Sequence, residues 1–434
     1  MNWLFKLSLK INGFPINKAL KELNDISIKN QTSQERAWSA FNCHKSQSEF
    51  YRNFLIAKDC TSEETWTSIP VIRKSDFQRP LKEIIGEFVS SDLHVHNTSG
   101  SSGTPFYFAK DKFCHAMNWA QINQCLKQHD VTIGKSLQAR FYGIPLGGLK
   151  YFKERLKDRL ANRFRFPVFD LSDENLDKVL NTFRTKRFEY LNGYTSSLVV
   201  FAKYLISREL CLKIVCPTLK VVFPTSEVLD DIDREILFRA FGVNIFNEYG
   251  AAELDIIAFE DIDGDWIVNN RTLFVEILDE YDKPVPNGIE GRVVVTSLYN
   301  RAMPFVRYDL GDRAVMSNKT KKGQQILERV LGRTNDIIKL PSGKISPGLT
   351  FYYISKKILE SGSGIKEFIV KQKSIDFFSL EYVSSNELSP EERNLIFSAM
   401  NQYLEPGLKC EFLRKEHIER TQAGKLKHFI SEIK

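Results

Sequence analysis

Residues 97–106 read Asn97-Thr98-Ser99-Gly100-Ser101-Ser102-Gly103-Thr104-Pro105-Phe106, and no other stretch constrains the chain as much. Five of the ten are hydroxylated and two are glycine. A backbone of this kind turns tightly and offers bare N–H groups and short hydroxyls to phosphate oxygens. The pattern GxxxxGK[ST] would need a lysine after the last glycine, where Thr104 and Pro105 stand instead. A Ser/Gly linker has a similar composition. Linkers, however, run longer and separate domains, whereas this stretch lies inside a globular sequence and stops at Pro105. The reading is a phosphate loop of an uncommon kind.

With 434 residues the chain is too long for one compact core, so at least two domains are expected. The net charge of +7 favours anionic ligands weakly and gives no indication of nucleic acid. Seven scattered cysteines without a CxxC pair support neither a disulfide framework nor a zinc ribbon, and a reducing, cytoplasmic setting is expected. No signal peptide is evident at the start, and no apolar run approaches the length of a membrane span. Trp3, Leu4, Leu7 and Ile11 share a helical face with Lys6 and Lys10 off it. That pattern reads as a terminal helix packed on the body, ahead of a membrane-surface helix. The basic stretch Lys150–Arg165 reads as a solvated helix face, ahead of a surface for phosphates or anionic lipid.

Helices are expected from about 15 to 90, at Phe113–Gln128 and at Asp173–Thr185, the last with acids in its early turns. The pattern then alternates: strand Leu219–Phe223, helix Leu229–Phe241 opening on Asp230-Asp231 and closed by Gly242, strand Val243–Phe246. Alternation of this kind indicates an α/β core with parallel strands. Strands Trp266–Val268, Leu273–Leu278 and Arg292–Thr296 suggest a separate β-rich subdomain over about 255–330. A boundary near Gly332–Gly343 divides an N-terminal α/β body, 1–332, from a small α+β domain, 333–434, with strands Phe368–Lys371 and Phe377–Tyr382 and helix Pro390–Tyr403.

Four further motifs follow the loop in order. They are Asn247-Glu248-Tyr249-Gly250-Ala251-Ala252-Glu253, Arg307-Tyr308-Asp309-Leu310-Gly311-Asp312, Gly332-Arg333-Thr334-Asn335-Asp336-Ile337-Ile338-Lys339 and Arg420-Thr421-Gln422-Ala423-Gly424-Lys425. Taken singly, Asp312 could cap a turn, Glu253 could solvate a helix start and Lys425 could be one more surface lysine. In this order, coincidence is a poor explanation. The sequence resembles the adenylate-forming superfamily of acyl-CoA synthetases and adenylation domains, within it the phenylacetate–CoA ligase branch, and there the capsular-polysaccharide-associated members. Asn192–Leu198 and Thr225-Ser226-Glu227-Val228-Leu229 resemble signposts of the same branch.

The resemblance implies ATP-dependent activation of a carboxylic acid to an acyl-adenylate with release of pyrophosphate, then transfer to a thiol or amine: coenzyme A, a carrier protein or an amino sugar. It implies that Thr98, Ser99, Gly100, Ser101, Ser102, Gly103 and Thr104 hold the β- and γ-phosphates. Glu253 stands at the position that takes the ATP-bound magnesium, a hard cation suited to carboxylate oxygen. Tyr249, with Gly250 and Ala251, offers a face to adenine, Asp312 accepts the ribose hydroxyls, Arg333 is a fork donor near ribose and phosphate, and Glu227 belongs to the nucleotide site. Lys425 is implied as the catalytic cation, and Asn335 and Asp336 as the pivot about which a mobile C-terminal domain swivels. An acid pocket is expected around Tyr194, Phe223, Pro224 and Tyr142.

Departures are visible too. Phe106 replaces a lysine that many relatives carry, Ala252 replaces a Thr or Ser, and residues 254–331 hold no Cys or His for the metal cluster of several relatives. An enzyme forming ADP is opposed by the missing P-loop lysine. A non-catalytic nucleotide-binding descendant is opposed by the presence of Glu253, Asp312 and Lys425.

Overall fold

The computed structural model describes residues 1–26, 31–60, 65–85, 93–97, 106–142, 148–168, 171–227, 229–333, 337–343, 345–347, 354, 365–418 and 429–433. The chain forms two compact units, one comprising Met1–Leu310 with Val315–Arg329 and the other Gly311–Ala314 with Val330–Lys434.

The first unit is built on a mixed sheet. Strands Arg163–Phe166, Gln138–Phe141, Tyr190–Tyr194, Val221–Thr225 and Glu248–Ala251 run parallel. Asp255–Glu260 and Trp266–Val268 then continue the same sheet antiparallel. The strands expected to form a separate β-rich subdomain therefore extend the parallel sheet through the hairpin at 252–254. Successive side chains of a strand point to opposite faces, and both faces here are covered. Leu191, Tyr194 and Val222 enter one core with helices Asp173–Thr185, Thr195–Ser207 and Asp231–Phe241. Tyr190, Val221 and Phe223 enter the other, beneath helices Trp3–Ile11, Ile16–Ile26 and Lys112–Lys127. Burial on both sides explains why Val221–Phe223 reads as a continuous apolar run.

Local chemistry sets the ends of the elements. Asp230 accepts the N–H groups of Ile232 and Asp233 at 2.9 and 2.7 Å, and Gly242 closes that helix in the left-handed region at φ 66°. The helix expected over Phe113–Gln128 runs Lys112–Lys127, because Asp111 caps it by accepting from Cys114 N–H.

The N-terminal helix packs on the body as expected, but by a different face. It packs on the body through Phe5 and Leu9, with Phe5 5.0 Å from the Trp119 ring, while Trp3, Leu4, Leu7 and Ile11 face outward. Nor is Lys150–Arg165 one solvated face. The helix Gly148–Leu160 ends, and Arg163 and Arg165 on the next strand turn inward to the buried carboxylate of Asp158, both at 2.8 Å.

The second unit has its own sheet, ordered Lys409–Arg414, Phe377–Ser384, Ile365–Gln372, Phe429–Ser431. Helix Pro390–Tyr403 covers it, started by a capping box between Ser389 and Glu392. Phe368, Val370, Phe378, Leu380, Tyr382, Ile396 and Met400 form its core.

Candidate active site

In an open α/β sheet, ligands bind beyond the carboxyl ends of the parallel strands. The strand Val221–Thr225 ends there and Ser226 turns the chain at φ 71°. The carboxylate of Glu227 then accepts from Ser196 N–H at 2.7 Å and Ser196 Oγ at 3.1 Å. That double grip fastens the turn to the start of helix Thr195–Ser207, so Glu227 has a structural task on its face of the site. Thr225 Oγ1 donates to Glu248 at 2.9 Å, linking this turn to the neighbouring strand.

Glu248–Ala251 carries the second motif. Gly250 is required by space, since a Cβ there would lie 2.2 Å from the Asp255 carbonyl oxygen. The turn that follows holds Glu253, which is buried, and its Oε1 accepts the Tyr308 hydroxyl at 3.0 Å. Lys110, itself buried, donates to the Ala252 carbonyl at 2.9 Å and pairs with Asp255, which also accepts from Asn118.

Lys110 matters because of where it stands. Its strand, Tyr107–Asp111, pairs antiparallel with Leu93–Asn97, and Asn97 lies opposite Tyr107. These strands flank the Gly/Ser loop in sequence, so the root of that loop and the turn bearing Glu253 are tied by one buried cation. Tyr308 ties in the third motif. Beside it, Arg307 is wholly buried and donates to the carbonyls of Thr67, Ile69 and Asp282, and Asp309 pairs with Arg292. The root of the loop, the second motif and residues 307–310 of the third, remote in sequence, therefore meet within the first unit.

Other expected residues fall as follows. The Tyr249 ring is half-buried and stacks on Trp266 at 6.3 Å. Asp312 is buried on strand Tyr308–Lys321, and Arg333 ends strand Gln324–Arg333. Thr98–Thr104, Asn335, Asp336 and Lys425 lie outside the described residues. The Tyr142 and Tyr194 rings lie 4.5 Å apart, tilted by 41°, with the Arg140 guanidinium 4.0 Å over Tyr142. Phe223 does not join them, because it packs in the other core on His129 and Phe259. Phe106 is buried among Phe77, Phe108 and Phe305, with the Lys74 ammonium 5.6 Å from its ring centre. Sequence reasoning missed Lys110, Asn118 and Asp255. Lys110 and Asp255 are 145 residues apart and no spacing announces their meeting. Tyr308, by contrast, stood inside a motif already singled out.

For a magnesium ion, the fit turns on Glu253. Its carboxylate is buried, one oxygen takes a neutral hydroxyl, and no cation among the described residues pairs with it. A hard oxygen donor of that kind suits the ion. Among the described residues, no group of three or more His, Cys, Asp or Glu could hold a metal by itself. An open groove of about 320 Å3 beside Arg234, Phe238 and Ile262 is lined by none of the motif residues discussed above.

No family model matches the chain. Over 445 aligned residues it is 24% identical to protein CapK of Staphylococcus aureus, covering 96% of this chain and 92% of that protein. It is 22% identical over 268 residues to phenylacetate–coenzyme A ligase of Escherichia coli (strain K12), covering 59% of this chain and 58% of the ligase. Among solved structures, 2-hydroxyisobutyryl-CoA ligase in its postadenylation state superposes with a TM-score of 0.70 at 18% identity, covering 92% of this chain and 89% of that one. The fold is thus that of the adenylate-forming enzymes. In sequence the chain is thus similar to protein CapK and to phenylacetate–coenzyme A ligase, and in fold to a CoA ligase.

Proposed function

We propose that the protein is an ATP-dependent ligase that activates a carboxylic acid and passes the acyl group to a thiol or an amine. A carboxylate oxygen attacks the α-phosphorus, the bond to the bridging oxygen of pyrophosphate breaks, and pyrophosphate leaves with the electron pair. The acceptor then attacks the acyl carbon, AMP departs, and the acceptor gives up its proton. Charge spreads over phosphate oxygens throughout, so positioning and preorganised donors carry the rate.

In this reading Thr98–Thr104 grip the leaving phosphates and Tyr249 backs the adenine. Asp312 accepts from the ribose and Arg333 steadies the phosphate end. Glu253 would hold a magnesium ion, which neutralises phosphate charge when bound. Lys425 bridges the attacking carboxylate and an α-phosphate oxygen, and its pull grows as charge develops. The second unit swivels about Asn335 and Asp336 between the two half-reactions, and the tyrosine pair at 142 and 194 walls the acid. The likeness to CapK along nearly the whole chain favours an acceptor on the cell-surface glycan side, such as the amine of an amino sugar.

The observation that carries the reading is the knot at Glu253. Lys110 and Tyr308 draw the loop's root, the Tyr249–Glu253 motif and residues 307–310 to one place. The test is product analysis across a panel of carboxylic acids with hydroxylamine as trap. Acid-dependent AMP, pyrophosphate and hydroxamate are expected. ADP with inorganic phosphate, or nucleotide binding without turnover on any acid, would overturn the proposal.

A further inference from the structure

We propose that helices Trp3–Ile11 and Gly148–Leu160 together form a docking surface for an anionic lipid bilayer. The two helices are neighbours in the first unit. On the first, Trp3, Leu4, Leu7 and Ile11 occupy one arc of about 100°. All four are exposed, Trp3 at 67% and Ile11 at 77%, while the opposite side packs on the body through Phe5 and Leu9. Lys6 and Lys10 fall on the arc beside Trp3.

The second helix repeats the arrangement. Phe152, Leu156 and Leu160 are spaced four apart on one stripe and exposed, the first two at 70% and 59%. Lys153 and Lys157 border that stripe on one side and Arg159 on the other, all exposed. Its inner side is polar. Asp158 is buried against Arg163 and Arg165, and Glu154 reaches Arg165 at 3.2 Å. A surface helix ordinarily turns its apolar stripe inward. This one is fastened by ion pairs and turns the stripe out, so core packing does not account for those leucines.

The occupant follows from the chemistry of the rim. Apolar side chains that enter the acyl boundary, bordered by lysines and arginines at headgroup level, match a negatively charged bilayer surface. Neither helix can cross a membrane, as no described helix is long and apolar enough, so contact is with the surface.

The test is sedimentation of the full-length protein with vesicles of phosphatidylcholine alone and with about a third phosphatidylglycerol. Binding to the anionic vesicles that weakens with salt is expected. Leu7→Glu, Ile11→Glu and Leu156→Glu should each reduce it by about tenfold or more. Replacing Lys6, Lys10, Lys153 and Lys157 by Gln should cost roughly fivefold per residue at low salt. Thermal melting checks that each variant folds. Should Leu7→Glu melt lower, the Ile11→Glu and lysine variants decide, since those side chains lie at the surface. Failure of the parent to sediment, or undiminished binding by the folded variants, would overturn the proposal. So would a dimer, seen by light scattering, that Leu156→Glu disrupts, because the face would then belong to a second copy.

Discussion

Replacing Lys110 by Met keeps the length and apolar stem of the side chain and removes its charge. In the parent, that ammonium pairs with Asp255 and donates to the Ala252 carbonyl, with side-chain exposures of 3% for Lys110 and 27% for Asp255. Breaking a fully buried ion pair by removing one partner costs about 3–5 kcal/mol. Asp255 retains Asn118 and some water, so about 2–3 kcal/mol is expected here. For a unit of this size that is a fall of roughly 4 °C in Tm. The rate should suffer more. The turn 252–255 holds Glu253, and a shift of about 1 Å in a positioning group costs on the order of a hundredfold. Thermal melting and pyrophosphate exchange read the two effects separately. Asp255→Asn tolerates the local φ of 60°. Added to Lys110→Met it removes the stranded carboxylate, so the pair should be less unstable than the sum of the single changes by about 1–2 kcal/mol. Parent-like stability and rate in Lys110→Met, or strict additivity in the double variant, would refute the reasoning.

Three other outcomes are expected. Burial holds the His44 imidazole down to about 4 from 6.5, against the opposing hydrogen bond between its Nε2 and the Asn300 carbonyl. The native ring stays neutral while the unfolded one takes a proton, so stability present above pH 6.5 is lost as pH falls towards 4, by up to about 3 kcal/mol; His44→Gln should flatten that part of a Tm–pH curve. Gly250→Ala drives a methyl against the Asp255 backbone, so a loss of about 1–3 kcal/mol by denaturant unfolding and a displaced Glu253 are expected. Asp312→Ala should weaken nucleotide binding in calorimetry, since it removes charge-assisted hydrogen bonds to ribose.

What could be read in advance was local. The Asp230 cap, the Gly242 stop and the helix after Asp111 are decided by neighbours within a turn, and the expected bounds there were close. The alternation of strand Leu219–Phe223, helix Leu229–Phe241 and strand Val243–Phe246 was also legible. Nothing local, though, said that Tyr194 and Phe223 would pack in different cores. The N-terminal helix has apolar residues on two arcs, so periodicity could not tell whether Phe5 and Leu9 or Trp3 and Leu7 would be buried. Composition marked the Gly/Ser loop, and motif order marked Glu253 and Tyr308. The cation joining them was hidden, since a lysine on a strand carries no signal until its partner arrives from 145 residues away.

The central claim is that this chain makes an acyl-adenylate with Lys425 as the catalytic cation. Acid-dependent exchange of labelled pyrophosphate into ATP, by the parent and by Lys425→Ala side by side, tests it most directly. The account predicts exchange with at least one carboxylic acid, and a loss on the order of a hundredfold or more in the variant. Exchange at the parent's rate by Lys425→Ala would contradict it, as would incorporation of label that does not depend on any acid.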